Sequence, residues 1–262
     1  MAASETVSRP APSYWHSLML LSRRDLKVRY STSALGYLWS ILDPLLMSGI
    51  YFFVFTVVFN RGVGHEPYIV FLLSALLPWT WFNGALSDST RAFLREAKLI
   101  RSTKIPRTIW VGRIVMSKGI EFVASLPVLI VFAVVSGATV HWNAVLFVPA
   151  ILLQAVLTLG LGLIIAPLVV FFRDLERAVK LILRFGFYAS PIVYSTLDLP
   201  ENLSNWAGLN PLSGLFSLYR AAWFPEELDW SLVGMSALTS ALLLLIGLAV
   251  FRRTLPAVLK EI

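Results

Sequence analysis

Three histidines, fifteen acidic residues and no cysteine supply the side chains of this 262-residue chain that most often carry catalysis or bind metals. His16, His65 and His141 are far apart and none belongs to an HExxH pattern, so no zinc site of familiar spacing is legible. The lack of cysteine excludes disulfides, thiolate metal sites and thiol nucleophiles together. Chemistry on a membrane substrate calls for paired carboxylates or histidines at helical spacing. Asp43, Asp88 and Glu121 are the only acids within or beside the long apolar runs, and they form no such pair. Glu121 follows Lys118 by three residues, the spacing of a local ion pair, and Asp88 can sit at the inner mouth of a span. Asp43, just before Pro44, is an intramembrane acid without an evident partner, and one acid is too little for a proton relay. No GxxxxGK[ST] loop occurs, so nucleotide-driven work would need a separate protein. The expectation is a chain that is not an enzyme and holds no cofactor or metal of its own.

The remaining candidates are basic. In SDSTRAFLREAKLIRSTKIPRT, over 87–108, Arg91, Arg95 and Lys98 fall at i, i+4, i+7 while Phe93, Ala97 and Ile100 fall nearly opposite. This spacing predicts an amphipathic helix over 91–102 that ends before Pro106. Between two membrane spans such a helix is a lever for a partner, with Arg91, Arg95, Glu96, Lys98, Leu99 and Arg101 as the contact residues; proline at Ala97 is expected to break it. Near the N-terminus, Trp15, Leu18, Met19, Leu26 and Tyr30 share one helical face and Arg23, Arg24 and Lys27 another, the pattern of a helix lying among headgroups. With Arg29 these cations form a belt suited to anionic lipid or an anionic lipid-linked substrate. They come after the short apolar stretch 15–21, the reverse of a secretory signal.

The elements that must position these residues are membrane helices. Hydrophobic residues make up 57% of the chain and charged residues 14%, against about a quarter charged in soluble domains. With a mean hydropathy of +0.75, the natural solvent is lipid. A hydrocarbon core of about 30 Å needs roughly 20 apolar residues as helix. Runs at 34–60, 67–88, 110–137, 142–172 and 230–252 qualify, and 175–197, interrupted by Pro191, makes a sixth, broken span. The segment 199–225 is apolar but punctuated by Gly208, Pro211, Gly214 and Pro225, which suits short re-entrant helices. The fold class expected is all-α membrane protein: residues 1–33 as a cytoplasmic terminus with the interface helix, and 34–262 as the six-helix membrane domain. In this topology 20 of the 22 basic residues lie on one side, with only Arg61 and Arg220 opposite, so both termini are expected in the cytoplasm. The net charge of +7 then reflects topology, not nucleic-acid binding.

Five segments together resemble a known family. RDLKVRYSTSALGYLWSILDP over 24–44, LLPWTWF over 76–82, LIRSTKIPR over 99–107, FFRDLERAVKLILRFGFYASPIVY over 171–194, and the pattern of Asn210, Pro211, Tyr219 and Arg220 are similar to motifs of the membrane subunit of polysaccharide ABC exporters, the Wzm-like permeases of the ABC-2 type. Phenylalanine more often stands where this chain has Ile105. The resemblance implies a homodimer in a bacterial cytoplasmic membrane, paired with two copies of an ABC ATPase that binds Mg-ATP. Its cargo would be a polysaccharide (O-antigen, capsule, teichoic acid or galactan) on a polyprenyl pyrophosphate carrier. It also implies that 91–102 is the coupling helix and that Asn210, Pro211, Tyr219 and Arg220 belong to an outer gate. Aromatic rings, 13% of the residues, can stack on sugar faces without strict hydrogen-bond geometry. On helical spacing Tyr37, Phe52, Phe55 and Phe59 could face Phe187, Tyr188 and Tyr194 along the substrate path, with Arg23, Arg24, Lys27 and Arg29 at a pyrophosphate entrance. An ABC-2 exporter of a small hydrophobic drug or lipid shares the same fold and coupling logic and stays open as an alternative. A glycosyltransferase would need a donor-sugar site for which the outer loops are too short.

Overall fold

The computed structural model describes residues 13–31, 36–54, 65–200 and 207–262, and among them every regular element is helical. Nine α-helices occur in order among these residues: α1 Tyr14–Tyr30, α2 Trp39–Phe52, α3 Tyr68–Ser89, α4 Ala97–Ser102, α5 Ile109–Val135, α6 Phe147–Phe171, α7 Leu175–Ala189, α8 Pro211–Arg220 and α9 Trp230–Glu261. Four are long and apolar enough to cross a membrane: α3, α5, α6 with its 3₁₀ lead-in from Trp142, and α9. Of the six spans expected, the fifth is shorter here, and the first is described only over 36–54. The described part of α2 has 14 residues, and α7 has 15 before Ser190 leaves helical geometry ahead of Pro191.

Helix ends obey local chemistry. Asp229 accepts from the N–H groups of Ser231 and Leu232 at 2.8 and 3.3 Å and starts α9. Burial raises its carboxyl, but the Ser231 hydroxyl and these N–H groups outweigh that and hold it below the usual aspartate range. Asn210 caps α8 in the same way, with Pro211 at the first helical position. At the end of α5, Gly137 takes φ +71°, and the N–H groups of Ala138 and Gly137 return to the carbonyls of Ala133 and Val134 at 2.9 and 3.2 Å. That Schellman closure needs a residue without a Cβ penalty in the left-handed region.

Helix α3 is the axis of the bundle, enclosed by α2, α5, α6, α7 and α8. Pro78 within it cannot donate to the preceding turn, and the buried Gln154 of α6 donates to the Pro78 carbonyl at 2.7 Å. Trp81 Nε1 donates to the Val115 carbonyl at 3.0 Å, fixing α3 to α5. Helices α6 and α9 form the most extensive pair, with Gly160 of one against Leu243, Leu244 and Gly247 of the other. Small residues let the two backbones touch, the usual basis of helix association in lipid. Exposed apolar faces, such as Ile130, Val131, Val134 and Val135 of α5 and Leu238, Leu242 and Leu245 of α9, point away from the bundle as lipid-facing residues do.

Helix α1 differs from the expected amphipathic arrangement. Leu18 and Leu26, with Leu21 and Ser22, are buried against the body of the protein, chiefly α5, while Trp15 is 62% exposed. The face read as membrane-seeking is therefore divided between protein and surroundings, because Ser22 and Leu21 extend the packed stripe sideways. Ser22 Oγ donates to the Arg113 carbonyl at 3.3 Å.

Candidate functional site

The connection from α3 to α5 begins with turns over 91–96, and regular helix is confined to α4. The predicted helix over 91–102 is thus half its expected length. Its amphipathic logic is nevertheless visible: Ala92, Phe93 and Ile100 are buried, with Phe93 packed on Phe251 of α9 at a ring separation of 5.9 Å, while Arg91, Arg95, Lys98 and Arg101 are exposed and Leu99 is half-buried. Arg107 donates to the carbonyls of Thr103 and Ile105 at 2.8 and 3.2 Å and fixes the loop after α4. A basic front on an apolar back is thereby held at the ends of two spanning helices.

Glu96 turns away from that front. Only 12% of its side chain is accessible; Arg24 Nη2 donates to both its oxygens at 3.0 and 3.1 Å, and Arg113 lies at 3.7 Å. Arg113 also bonds Asp25 of α1, while Arg29 donates to Asp88 at 2.5 Å and to Glu121 at 2.9 Å. Lys118 reaches Glu121 at 2.8 Å, the expected i,i+3 pair. Burial pushes the Asp25 carboxyl above its ordinary value, against the opposing charges of Arg113 and Arg24. For Arg29 burial acts downward, but Glu121 and Asp88 outweigh it and hold the guanidinium above its ordinary range. Of the four cations of the expected entrance, Arg24 and Arg29 are thus bound to carboxylates in a node joining α1, α5 and the end of α3. Arg23 and Lys27 are exposed, with no acidic partner recorded among the described residues. Sequence pattern alone does not single out Asp25 or Arg113 as participants; an acid alone among the cations of α1 is a signal for Asp25, and Arg113 has none.

Because Ala97 is the first residue of α4, proline there removes no intrahelical hydrogen bond, so the break expected at this position does not follow. The break belongs at Arg101, where proline costs about 3 kcal/mol of local helix stability. If α4 is the coupling helix that the sequence resemblance implies, Arg101→Pro should abolish co-purification of a partner ATPase and transport-linked ATP hydrolysis while the chain still inserts, and Arg101→Ala should lose less. Undiminished association of Arg101→Pro would refute a docking role for α4.

On the opposite flank of α3, an open cavity of about 620 Å³ lies between α2, α3 and α7. Phe187 forms its wall: it stacks on Tyr51 at 5.5 Å, meets Trp79 edge-on at 5.7 Å and Tyr188 at 5.2 Å. Tyr188 is exposed, and Tyr194, beyond α7, is half-buried outside this cavity. From the first span the aromatic present is Tyr51, which helical spacing alone did not single out. Phe55 and Phe59 lie outside the described residues, as do the side chains of Tyr37, Phe52 and Asp43. The α3 wall contributes Thr80, Asn83 and Ser87, and the end toward residue 180 is lined by Lys180 and Arg184.

At the other end of the bundle α8 is enclosed, with every residue from Leu212 to Arg220 buried. Asn210 Nδ2 donates to Ser190 Oγ at 2.9 Å, tying the start of α8 to the turn after α7. Tyr219 is edge-on to Phe122 and Phe147 at 5.7 and 5.1 Å. Arg220 donates to the Ile192 and Tyr194 carbonyls at 2.9 and 3.4 Å and to Glu227 at 3.4 Å, with its guanidinium 3.6 Å from the Phe71 ring centre. Glu227 also accepts from Ser195 and meets His65 at 2.8 Å.

The family model for the ABC-2 type transporter matches residues 16–224. The O-antigen export system permease protein RfbA of Klebsiella pneumoniae is 35% identical over 237 residues, covering 90% of this chain and 91% of that protein. A protein of the same name from Myxococcus xanthus is 33% identical, over 80% of this chain and 81% of its own length. The polysialic acid transport protein KpsM of Escherichia coli is 24% identical over 91% of this chain and 93% of its own. With most of the spanning helices, the α3–α5 connection and α8 inside the matched region, this chain belongs to the ABC-2 type transporter family.

Proposed function

We propose that the chain is the permease of a bacterial polysaccharide export system, a multi-pass inner-membrane subunit driven by a separate ABC ATPase. The observation that carries this reading is the 35% identity with an O-antigen export permease along nearly the whole of both chains. In the fuller reading two copies of the chain and two ATPases move a polysaccharide on a polyprenyl pyrophosphate carrier. In this reading the six apolar runs of the sequence are the spans, with α2 in the first and α7 in the fifth. The 20-to-2 division of basic residues supports cytoplasmic termini, with α4 at the ATPase and α8 toward the outer face. Helix α8, closed in by α3, α6 and α9, is a candidate outer gate: backbone that re-enters a membrane must be covered by protein. The α2–α3–α7 cavity is the candidate substrate path, its rings offering sliding contacts for sugars. Its polar and basic lining favours a charged amphiphile over the hydrophobic drug of the alternative reading.

One strain tests both function and orientation. The chain is supplied as Ser102→Cys from a repressible promoter in its native bacterium, in place of the parent. Repression should trap lipid-linked polysaccharide on the inner leaflet and strip it from the surface. With the chain present, an impermeant thiol reagent should reach position 102 only after the cytoplasmic membrane is permeabilised. Persistent surface polysaccharide under repression refutes the function, and labelling of intact cells refutes the orientation.

A further inference from the structure

Helix α3 is buried along nearly all its length, and the exceptions are Ile69, Thr80, Asn83, Gly84, Ser87 and Asp88. Thr80, Asn83 and Ser87 recur at three and four residues and so fall on one face, the face that lines the α2–α3–α7 cavity. A spanning helix that met lipid along this stripe would carry apolar residues there; a polar stripe marks a path for something polar. Across the cavity, α7 supplies Lys180 and Arg184 one turn apart, with Phe187 and Tyr188 on the next turn. The cavity is therefore graded, with cations at one end and aromatic rings further along.

Charge at the cationic end is unbalanced. Glu176 accepts from Arg91 at 3.0 and 2.5 Å and from Lys180 at 2.6 Å, so two cations share one carboxylate. Arg184 is exposed, and no acidic partner is recorded for it among the described residues. The Lys180–Glu176 pair is solvent-facing, with Lys180 50% accessible, and such exposed pairs are weak enough for an incoming anion to replace. By contrast, Arg24 and Arg29 are already engaged by Glu96, Asp88 and Glu121.

Resting on the export reading above, we propose that Lys180 and Arg184 bind the phosphate groups of the lipid-linked substrate, with Asn83 and Ser87 of α3 bonding its adjoining polar part and Phe187 and Tyr188 packing on the portion beyond it. Planar guanidinium and ammonium groups are matched to phosphate oxygens, Arg by paired donors and Lys as a point charge. Through Glu176 the same site touches Arg91 at the head of the coupling segment. Phosphate arriving at Lys180 competes with Glu176 and leaves that carboxylate to Arg91 alone.

The test uses the full-length chain in lipid nanodiscs, with three probes: farnesyl pyrophosphate, farnesol and inorganic pyrophosphate. Lys180→Gln combined with Arg184→Gln should weaken farnesyl pyrophosphate binding at least tenfold and leave farnesol binding unchanged. Arg184→Lys, which keeps the charge but not the paired donors, should lose less than the double variant, and Arg177→Gln, one turn earlier on α7, should bind as the parent does. Equal loss for both prenyl probes, or no loss, overturns the assignment. So does the absence of saturable binding to the parent, as when a second copy of the chain fills the cavity. Inorganic pyrophosphate that competes at the concentration of the prenyl compound identifies a site for the free anion and overturns the lipid-linked assignment. In cells the two readings separate: a parent that does not export polysaccharide refutes the export function, whereas an exporting parent matched by an equally exporting double variant refutes the phosphate site alone.

Discussion

Glu227→Ala should cost about 3–5 kcal/mol of stability, the effect of stripping one partner from a buried ion pair. Both side chains are almost inaccessible, 1% for Arg220 and 2% for Glu227. Removal of the carboxylate takes from the guanidinium its hydrogen-bonded counter-charge, and removes the acceptor of Ser195 and one of the two carboxylate partners of His65. Glu227→Gln keeps an acceptor for Ser195 but not the charge, so it should fall between Ala and the parent. Arg220→Met combined with Glu227→Leu removes both charges. It should recover the part of the loss due to the unpaired charge, while the Ile192 and Tyr194 carbonyls stay without their donor and Ser195 without its acceptor, at about 1–3 kcal/mol for a buried group. Thermal unfolding in detergent ranks the four proteins. An unfolding midpoint for Glu227→Ala equal to that of the parent would show that the pair carries no weight. This network joins the turn after α7, the end of α8 and the approaches to α3 and α9, so export should fail in proportion to stability if α8 serves as the outer gate.

The parts of this architecture that sequence makes legible are those governed by length and local period. The apolar runs over 67–88, 110–137, 142–172 and 230–252 fall within or close to α3, α5, α6 and α9, the last of which continues to Glu261, because hydrophobic length answers directly to hydrocarbon thickness. The i, i+4, i+7 cations near Arg91 are exposed as expected, although turns replace helix as far as Glu96. What local pattern cannot supply is partner choice across long separations. Arg24 finds Glu96 72 residues away, Arg113 finds Asp25 at 88, and Arg29 finds Glu121 at 92. Each cation looked free along its own helix, and each carboxylate looked like a local partner or a surface charge. Helical phase is the other limit: one position along a helix is a rotation of about 100°, and it is Tyr51 of the first span that meets Phe187. The polar stripe of Thr80, Asn83 and Ser87 was present in the sequence but hidden among apolar neighbours, and gained meaning only once α7 was seen to face it.

Gly247→Ala and Gly160→Ala should each destabilise the protein by about 1–3 kcal/mol, the cost of overpacking a filled interior, and valine at either site should cost more. A Cβ on Gly160 would stand 2.7 Å from the Leu244 nitrogen and 2.8 Å from the Leu243 carbonyl carbon, and one on Gly247 would press closer still on the Gly160 carbonyl oxygen. These obstacles are backbone atoms, which cannot swing aside as a flexible side chain can, so α6 and α9 would have to part along their length. Gly234, on the same helix α9, has nothing within 4 Å of its absent Cβ. Alanine there should be neutral or stabilise by up to about 1 kcal/mol through helix propensity alone. The three alanine variants therefore share one chemical change and differ only in what the added methyl meets. Thermal unfolding in detergent, with export as a second readout, separates them. If Gly247→Ala proves as stable as Gly234→Ala, close backbone contact is not what holds α6 to α9. The consequence extends to α8, because Gly214 packs its backbone against Leu232 and Ser236 near the start of α9. A shift of α9 forced at Gly247 should thus loosen the far end of the same helix, where α8 depends on it, and impair export even in protein that remains inserted.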